Sequence, residues 1–380
     1  MAEKRLHQRY VGEFTDSTNN NFNLIRLLCA WGVLVFHSVP LAEQTYALSD
    51  PLLHYLGVSM GEFCVMVFFA ISGFLIYRSM CRSSSLNSYI IARALRLLPA
   101  LLVVLVLTAF IVGPLATELS LGQYFSHPET WSYLNNVNLL TNRTQYTLPG
   151  VFSDNPYPNA VNGSLWTLPL ETRMYVVTIA FFYSAWLLTR LFKEKMRWLS
   201  PLLLAAILIW AYWLLDGYSV SGERHELFKN LFFLAFFIGG VIYAYRDSIP
   251  LKASWALVLI LGVEFLRTTS IYPIYGTFTI VYTVLVLAYL PKGKILAFNK
   301  LGDYSYGMYI YAFPVQQCLS HWTDIGFFGM VLWATVITLA LSVISWHLLE
   351  SPILGQKKKL TNLLKKRRNI APAGGLSQPD

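Results

Sequence analysis

The sequence predicts an all-α polytopic membrane protein, a bundle of about ten transmembrane helices with both termini cytoplasmic. Only 13% of the 380 residues are charged, against roughly 25% in soluble domains, and the mean hydropathy is +0.48. Apolar runs near the ~20 residues that span a bilayer recur along the chain. These runs are continuous in apolar character, which favours helices over the alternating strands of a membrane barrel.

The distribution of the apolar runs divides the chain into three parts. Residues 1–20 contain charged side chains and no apolar core, so we expect a cytoplasmic segment and no cleavable signal peptide. Residues 21–352 form the predicted membrane domain, and residues 353–380 form a basic, partly disordered cytoplasmic tail. The predicted spans cover residues 22–41, 60–77, 98–117, 167–189, 199–215, 229–245, 253–271, 272–290, 304–320 and 327–349.

Lysine and arginine set the predicted orientation. With the N-terminus inside, 24 of these 29 residues fall in inner segments or at the inner end of the first span. This bias predicts a multi-pass protein of the plasma membrane, which is the inner membrane in a bacterium. It also explains the net charge of +9 without a nucleic-acid partner, because basic residues of the tail contact anionic membrane lipids.

The longest predicted outer connection, residues 118–164, is rich in asparagine and aromatic residues. Flat rings and amide groups suit a carbohydrate or glycolipid, whose sugar faces are apolar and whose edges carry hydroxyls. A solvated cap with interfacial aromatic side chains is the alternative. Asn162 and Trp166, at the end of this connection, are predicted to bind substrate.

Two ionisable residues, Arg26 and His37, lie eleven positions apart in the first span. Eleven residues turn a helix only about 20° past three full turns and rise roughly 16 Å, so both side chains share one face. The inner guanidinium suits phosphate, and the outer imidazole suits removal of a proton from an attacking hydroxyl. The alternatives are an arginine that snorkels to water and a histidine that bonds a helix carbonyl.

Other polar residues enter the predicted spans. Glu171 lies at a depth similar to that of His37, where its carboxylate would orient or charge-balance the imidazole. Ser72 and Gly73 are small enough to let a helix or a ligand approach the backbone. Asp303 precedes the ninth span and is expected to cap that helix.

Arg78, Arg93 and Arg96 crowd one predicted inner loop. They are candidates for binding the phosphates of a cofactor-like donor, and ordinary positive-inside charge is the alternative. The four cysteines are scattered, which predicts neither a metal site nor a disulfide framework.

Taken in order, these motifs resemble those of the multi-pass acyltransferase family 3. The matching stretches are the Arg26 and His37 pair, Phe68–Phe74, Arg93–Pro99, Ser164–Glu171, Tyr304–Tyr309 and Leu349–Pro352. The chain departs from the family at one position. The family often has a histidine before a proline after the tyrosine-glycine motif, whereas this chain has Ala312-Phe313-Pro314.

The resemblance implies an enzyme that transfers an acyl group, usually acetyl from coenzyme A, to a sugar hydroxyl. It implies His37 as the catalytic histidine, Arg26 as its essential companion, and Arg93 and Arg96 as the inner basic motif. Acetyl-CoA is then a donor substrate, and no cofactor or metal is expected to be permanently bound. The expected function is O-acetylation of a surface or exported polysaccharide or glycolipid.

A proton-coupled transporter of a lipid or glycan is the alternative function, with His37 and Glu171 as its proton relay. The sequence leaves open the acceptor, the length of the acyl group and the choice between direct transfer and an acyl-histidine intermediate.

Overall fold

The computed structural model describes residues 9–42, 50–83, 85–141, 143–192, 207, 209–210 and 224–362. Helices are the regular elements of these residues, which confirms the predicted all-α class. The helices are α1 (Phe22–Ala42), α2 (Pro51–Leu56), α3 (Met60–Arg82), α4 (Leu86–Leu107), α5 (Leu121–Ser126), α6 (Pro128–Ser132), α7 (Thr167–Phe192), α8 (Arg224–Ala244), α9 (Ala253–Leu266), α10 (Tyr272–Tyr289), α11 (Ser305–Trp322) and α12 (Phe327–Ser345).

Six helical segments of the described chain are long and apolar enough to cross a membrane. They are Phe22–Ala42, Met60–Arg82, Leu86–Ala116, Glu226–Ala244, Tyr272–Tyr289 and Phe327–Asn362. Two further predicted spans correspond to α7 and α11, which are long but richer in polar side chains, and α9 is shorter at 14 residues. The predicted span 199–215 falls almost wholly outside the described residues. The total of ten spans and the cytoplasmic termini therefore stay predictions.

Helix α1 packs against α3, α11 and α12. The closest helix pair is α3 with α8, and glycines make this approach possible. A Cβ atom at Gly73 would collide with the backbone of Phe236, and one at Gly239 would collide with the backbone of Ala70. The expectation that Gly73 admits a neighbouring helix is therefore confirmed.

Residues 9–21 cross the end of the bundle where α1 begins. The amides of Val11 and Gly12 donate to the carbonyl oxygens of Ile249 (3.0 Å) and Arg246 (2.8 Å), and Asn21 donates to Ala288 (2.8 Å). These backbone bonds hold the segment against the loop that follows α8 and the last turn of α10. We call this end of the bundle the Arg26 end and the opposite one the His37 end.

The connection 118–164 folds into a cap at the His37 end. It contains α5 and α6, and isolated β-bridges join Thr117 to Val151 and Thr147 to Ala160. Asn136 is buried and exchanges two hydrogen bonds with Gln145, of 2.8 and 2.9 Å. Some amides that the sequence offered for sugar binding are thus used to fold the cap.

Two π-helical turns interrupt the long helices, and each contains a polar group that contacts another part of the bundle or the cap. Helix α4 continues through Thr108–Val112, where the carbonyl of Ala109 accepts a hydrogen bond of 2.8 Å from the Tyr124 hydroxyl of the cap. Helix α12 continues through Trp346–Glu350, which turns the Glu350 carboxylate into the bundle.

Candidate active site

A cavity of about 510 Å³ opens near the Arg26 end, between α1, α3, α4, α7 and α11. We call it the Arg26 cavity. Its charged lining residues are Arg26, Arg93, Arg96, Glu171, Asp303 and Lys357. Cations outnumber anions in this lining, so the cavity favours a negatively charged ligand.

The Asp303 carboxylate joins two of these cations. One oxygen, Oδ2, lies 2.5 Å from Arg26 Nη1 and 2.7 Å from Arg96 Nη2, and Arg96 also lies 3.3 Å from Glu350. Burial raises the pKa of Asp303, but the guanidiniums of Arg26 and Arg96 outweigh that effect and lower the pKa to about 2. Asp303 therefore stays ionised at neutral pH and links α1 to α4 at the start of α11.

Glu171 forms a second cluster across the same cavity. Its Oε1 accepts hydrogen bonds from the Ser72 hydroxyl (3.1 Å) and from the Tyr175 hydroxyl. Arg93 lies over the Tyr175 ring, with its guanidinium carbon 5.9 Å from the ring centre. Within the described residues no hydrogen bond joins Glu171 to His37.

Arg93 differs from the other two lining arginines in having no carboxylate partner among the described residues. Its buried Nε also lacks a hydrogen-bond acceptor there. A partly buried guanidinium without an acidic partner is unfavourable on its own. Arg93 therefore adds positive charge to the Arg26 cavity that an anionic ligand would satisfy.

A larger cavity, of about 1370 Å³, lies between the last turns of α1, the start of α3 and the cap. We call it the His37 cavity. Six aromatic side chains line it: Phe36, Tyr146, Tyr157, Trp166, Phe313 and Phe327. The charged residues Asp50, Glu62 and Lys229 lie at its wall.

The His37 imidazole is packed between aromatic rings. The Phe313 ring meets it edge-on, with centroids 5.2 Å apart and planes at 79°, and Phe36 lies at 5.6 Å. The Phe313 ring in turn rests on Gly163, where a Cβ atom would come within 2.7 Å of it. The buried Nδ1 of His37 has no hydrogen-bond partner among the described residues.

The structure divides the predicted site residues between the two cavities. Arg26, Arg93, Arg96, Ser72 and Glu171 line the first, and His37 and Trp166 line the second. The placement of Glu171 beside the imidazole, which rested on depth alone, differs from the structure because the carboxylate faces Ser72 and Tyr175.

Two predicted site residues, Arg78 and Asn162, line neither cavity. Asn162 is fully buried, and it donates to the Ile310 carbonyl (3.0 Å) while accepting from the Ser164 amide (3.1 Å). The structure therefore gives this amide a role in joining α11 to the segment before α7.

The sequence does not indicate the bridging role of Asp303 or its neighbours. The expected capping contact is present, because Asp303 Oδ1 accepts from the Ser305 amide at 3.3 Å. Its contact with Arg26 joins residues 277 positions apart, which no local pattern indicates. No local pattern indicates the position of Glu350 either, and it is buried beside Arg96.

We expect Asp303→Asn to destabilise the protein by about 3–5 kcal/mol, because the change leaves two buried guanidiniums without their shared carboxylate. The measurement is the thermal unfolding midpoint in detergent. The control is Asp16→Asn, since Asp16 pairs with Arg82 at the surface and is 83% exposed. A surface pair contributes less than about 1 kcal/mol. Equal shifts in the two variants would contradict the bridging role.

Comparison with known proteins identifies the family of this chain. Residues 19–347 match the family model described as an acyltransferase domain. The chain is 31% identical over 354 residues to an O-acetyl transferase of Shigella phage Sf6, covering 88% of this chain and 96% of that one. It is 27% identical over 393 residues to nodulation protein 10 of Rhizobium leguminosarum bv. viciae, covering 94% and 99%. No solved structure matches significantly. The chain belongs to acyltransferase family 3.

Proposed function

We propose that this membrane acyltransferase transfers acetyl from acetyl-CoA to a sugar hydroxyl of a surface or exported polysaccharide or glycolipid at the bacterial inner membrane. The observation that carries the proposal is the placement of Arg26 and His37. One helix, α1, supplies Arg26 to a cationic cavity and His37 to an aromatic cavity at the other end of the bundle. The O-acetyl transferase named among its relatives supports acetyl as the transferred group.

The Arg26 cavity suits the phosphates of coenzyme A. Arg93 has no acid partner within the described residues, and its planar guanidinium holds phosphate oxygens in pairs. Arg26 lies roughly 16 Å along α1 from His37, a span comparable to an extended pantetheine arm. A donor held by its phosphates at one end therefore brings its thioester to the imidazole.

The His37 cavity suits a sugar acceptor. Aromatic faces such as those of Tyr146, Tyr157 and Trp166 stack on the apolar faces of sugars. The volume of about 1370 Å³ exceeds the ~300–1,000 Å³ of ordinary small-molecule pockets. The cavity thus has room for a glycan segment rather than a single small metabolite.

In the proposed reaction His37 takes the proton of the sugar hydroxyl, whose oxygen attacks the thioester carbonyl carbon. The new carbon–oxygen bond forms, the carbon–sulfur bond breaks, and the coenzyme A thiolate receives the proton from the imidazolium. The stretch Ala312-Phe313-Pro314 contains no histidine where the resemblance implies one, so His37 performs both proton transfers in this proposal.

We expect His37→Ala to lower the turnover number by about 10²–10⁴-fold, the usual contribution of a general base. The measurement is coenzyme A release from acetyl-CoA by the purified protein with a glycan set, namely methyl hexosides and oligosaccharides from bacterial surface polysaccharides. His54→Ala is the control, because His54 is exposed on α2. Ion-gradient-dependent glycan movement without coenzyme A release would instead support the transporter.

We expect Arg93→Gln to raise the Michaelis constant for acetyl-CoA by about tenfold, since the variant loses a charge-assisted hydrogen bond to phosphate. The effect should shrink at saturating donor. Arg246→Gln is the control, because Arg246 pairs with the adjacent Asp247 and lines neither cavity. An unchanged Michaelis constant for acetyl-CoA in Arg93→Gln would contradict the binding of the donor phosphates by Arg93.

The proposed sidedness predicts which surface cysteines react with an impermeant thiol reagent. Asp154 in the cap and Gln356 after α12 are exposed and suit cysteine probes, in a Cys81→Ser background that removes an exposed native thiol. In spheroplasts whose inner membrane is intact, we expect Asp154→Cys to react. Gln356→Cys should react only after permeabilisation of that membrane. The reverse pattern would place the His37 cavity in the cytoplasm.

A further inference from the structure

The linings of the two cavities are adjacent in three segments of the chain, and we call the region between them the junction. Along α11, Tyr309 lines the Arg26 cavity and Phe313, one turn later, lines the His37 cavity. At the start of α7, Trp166 faces the His37 cavity and Thr167 faces the Arg26 cavity. In α3, Phe68 closes the Arg26 side. A thioester that travels from Arg26 to His37 crosses this junction.

The junction holds one hydrogen-bonded pair of hydroxyls. Tyr309 OH lies 2.8 Å from Thr167 Oγ1, and Thr167 Oγ1 lies 3.4 Å from the Ser164 carbonyl oxygen, toward which it donates. Either hydroxyl can donate in this pair, so the Tyr309 phenol has a proton available for donation. The Tyr309 ring meets Phe68 edge-on at 5.8 Å, which fixes the direction of its hydroxyl.

Helix α11 relates Tyr309 to the surroundings of His37. Tyr309 and Phe313 are four residues apart and share a face of α11, about 6 Å along the helix axis. The Phe313 ring contacts the imidazole. The Asn162 side chain donates to the Ile310 carbonyl and holds this part of α11 against the start of α7. Tyr309 thus lies one helical turn from the ring that contacts the base.

Attack on a thioester puts negative charge on its carbonyl oxygen, and that charge needs a hydrogen-bond donor. The carboxylate of Glu171, one turn beyond Thr167, cannot supply one while ionised. A neutral phenol can donate and adds no charge to a buried site.

Building on the proposed function, we propose that Tyr309 is a further catalytic residue, whose hydroxyl donates to the thioester carbonyl oxygen as the sugar oxygen attacks. Thr167 is a positioning residue that holds the phenol proton until the thioester arrives. The phenol keeps its proton throughout: the oxygen gains charge when the new bond forms and loses it when the carbon–sulfur bond breaks.

The test measures coenzyme A release from acetyl-CoA with the glycan set, using the full chain. We expect Tyr309→Phe to lower the turnover number about 10²–10³-fold, the effect of removing one oxyanion donor, with less than a threefold change in the Michaelis constant for acetyl-CoA. Tyr311→Phe is the matched control, because Tyr311 is buried in the same helix and lies 3.5 Å from Ser345, outside both cavities.

A second pair of variants keeps the test independent of how Tyr309→Phe folds. We expect Thr167→Val to lower the turnover number several-fold, because the phenol loses the partner that orients it, and Thr167→Ser to restore it. Wild-type turnover in both Tyr309→Phe and Thr167→Val, or a raised Michaelis constant alone, would overturn the role of Tyr309 and leave the proposed function intact. Failure of the wild-type protein to release coenzyme A would overturn both.

Discussion

The sharing of one carboxylate by two guanidiniums underlies the arrangement of this bundle. Asp303 accepts from Arg26 of α1 and from Arg96 of α4, and Glu350 adds a second acid to Arg96. Isolated charges are unfavourable in a membrane interior, so each of these groups requires the others. The network fixes α1 against α4, α11 and the end of α12. Because α1 is rigid, this contact also determines where His37 lies.

A bundle fixed in this way has two cavities of different chemistry. The same helices line both, since α1, α3, α7 and α11 each change cavity along their length. Cations outnumber anions in the lining of the cavity around Arg26 but not in that of the cavity around His37, whereas aromatic side chains line both. The difference in charge favours a polyanionic ligand in the Arg26 cavity.

The sequence was informative wherever a property depended on neighbours in the chain. The helices and the shared face of Arg26 and His37 followed from apolar runs and helical spacing. Depth in the membrane could be inferred for Glu171, but depth does not fix the rotation of α7, and the carboxylate turned to Ser72. Contacts between distant residues, such as that of Arg26 with Asp303, depend on which helices become neighbours, and no pattern in one sequence specifies this.

Because Arg26 and Asp303 are 277 positions apart, they enter the membrane protein at different times during synthesis. Chains are synthesised from the N-terminus, so α1 reaches the membrane long before its counter-ion exists. Until then Arg26 must remain near the lipid headgroups, where a guanidinium is tolerated. Helix α11 brings Tyr309 and Phe313 soon after Asp303, so part of the lining of both cavities arrives with the same late insertion. A nascent chain that stops short of α11 therefore lacks part of both binding surfaces.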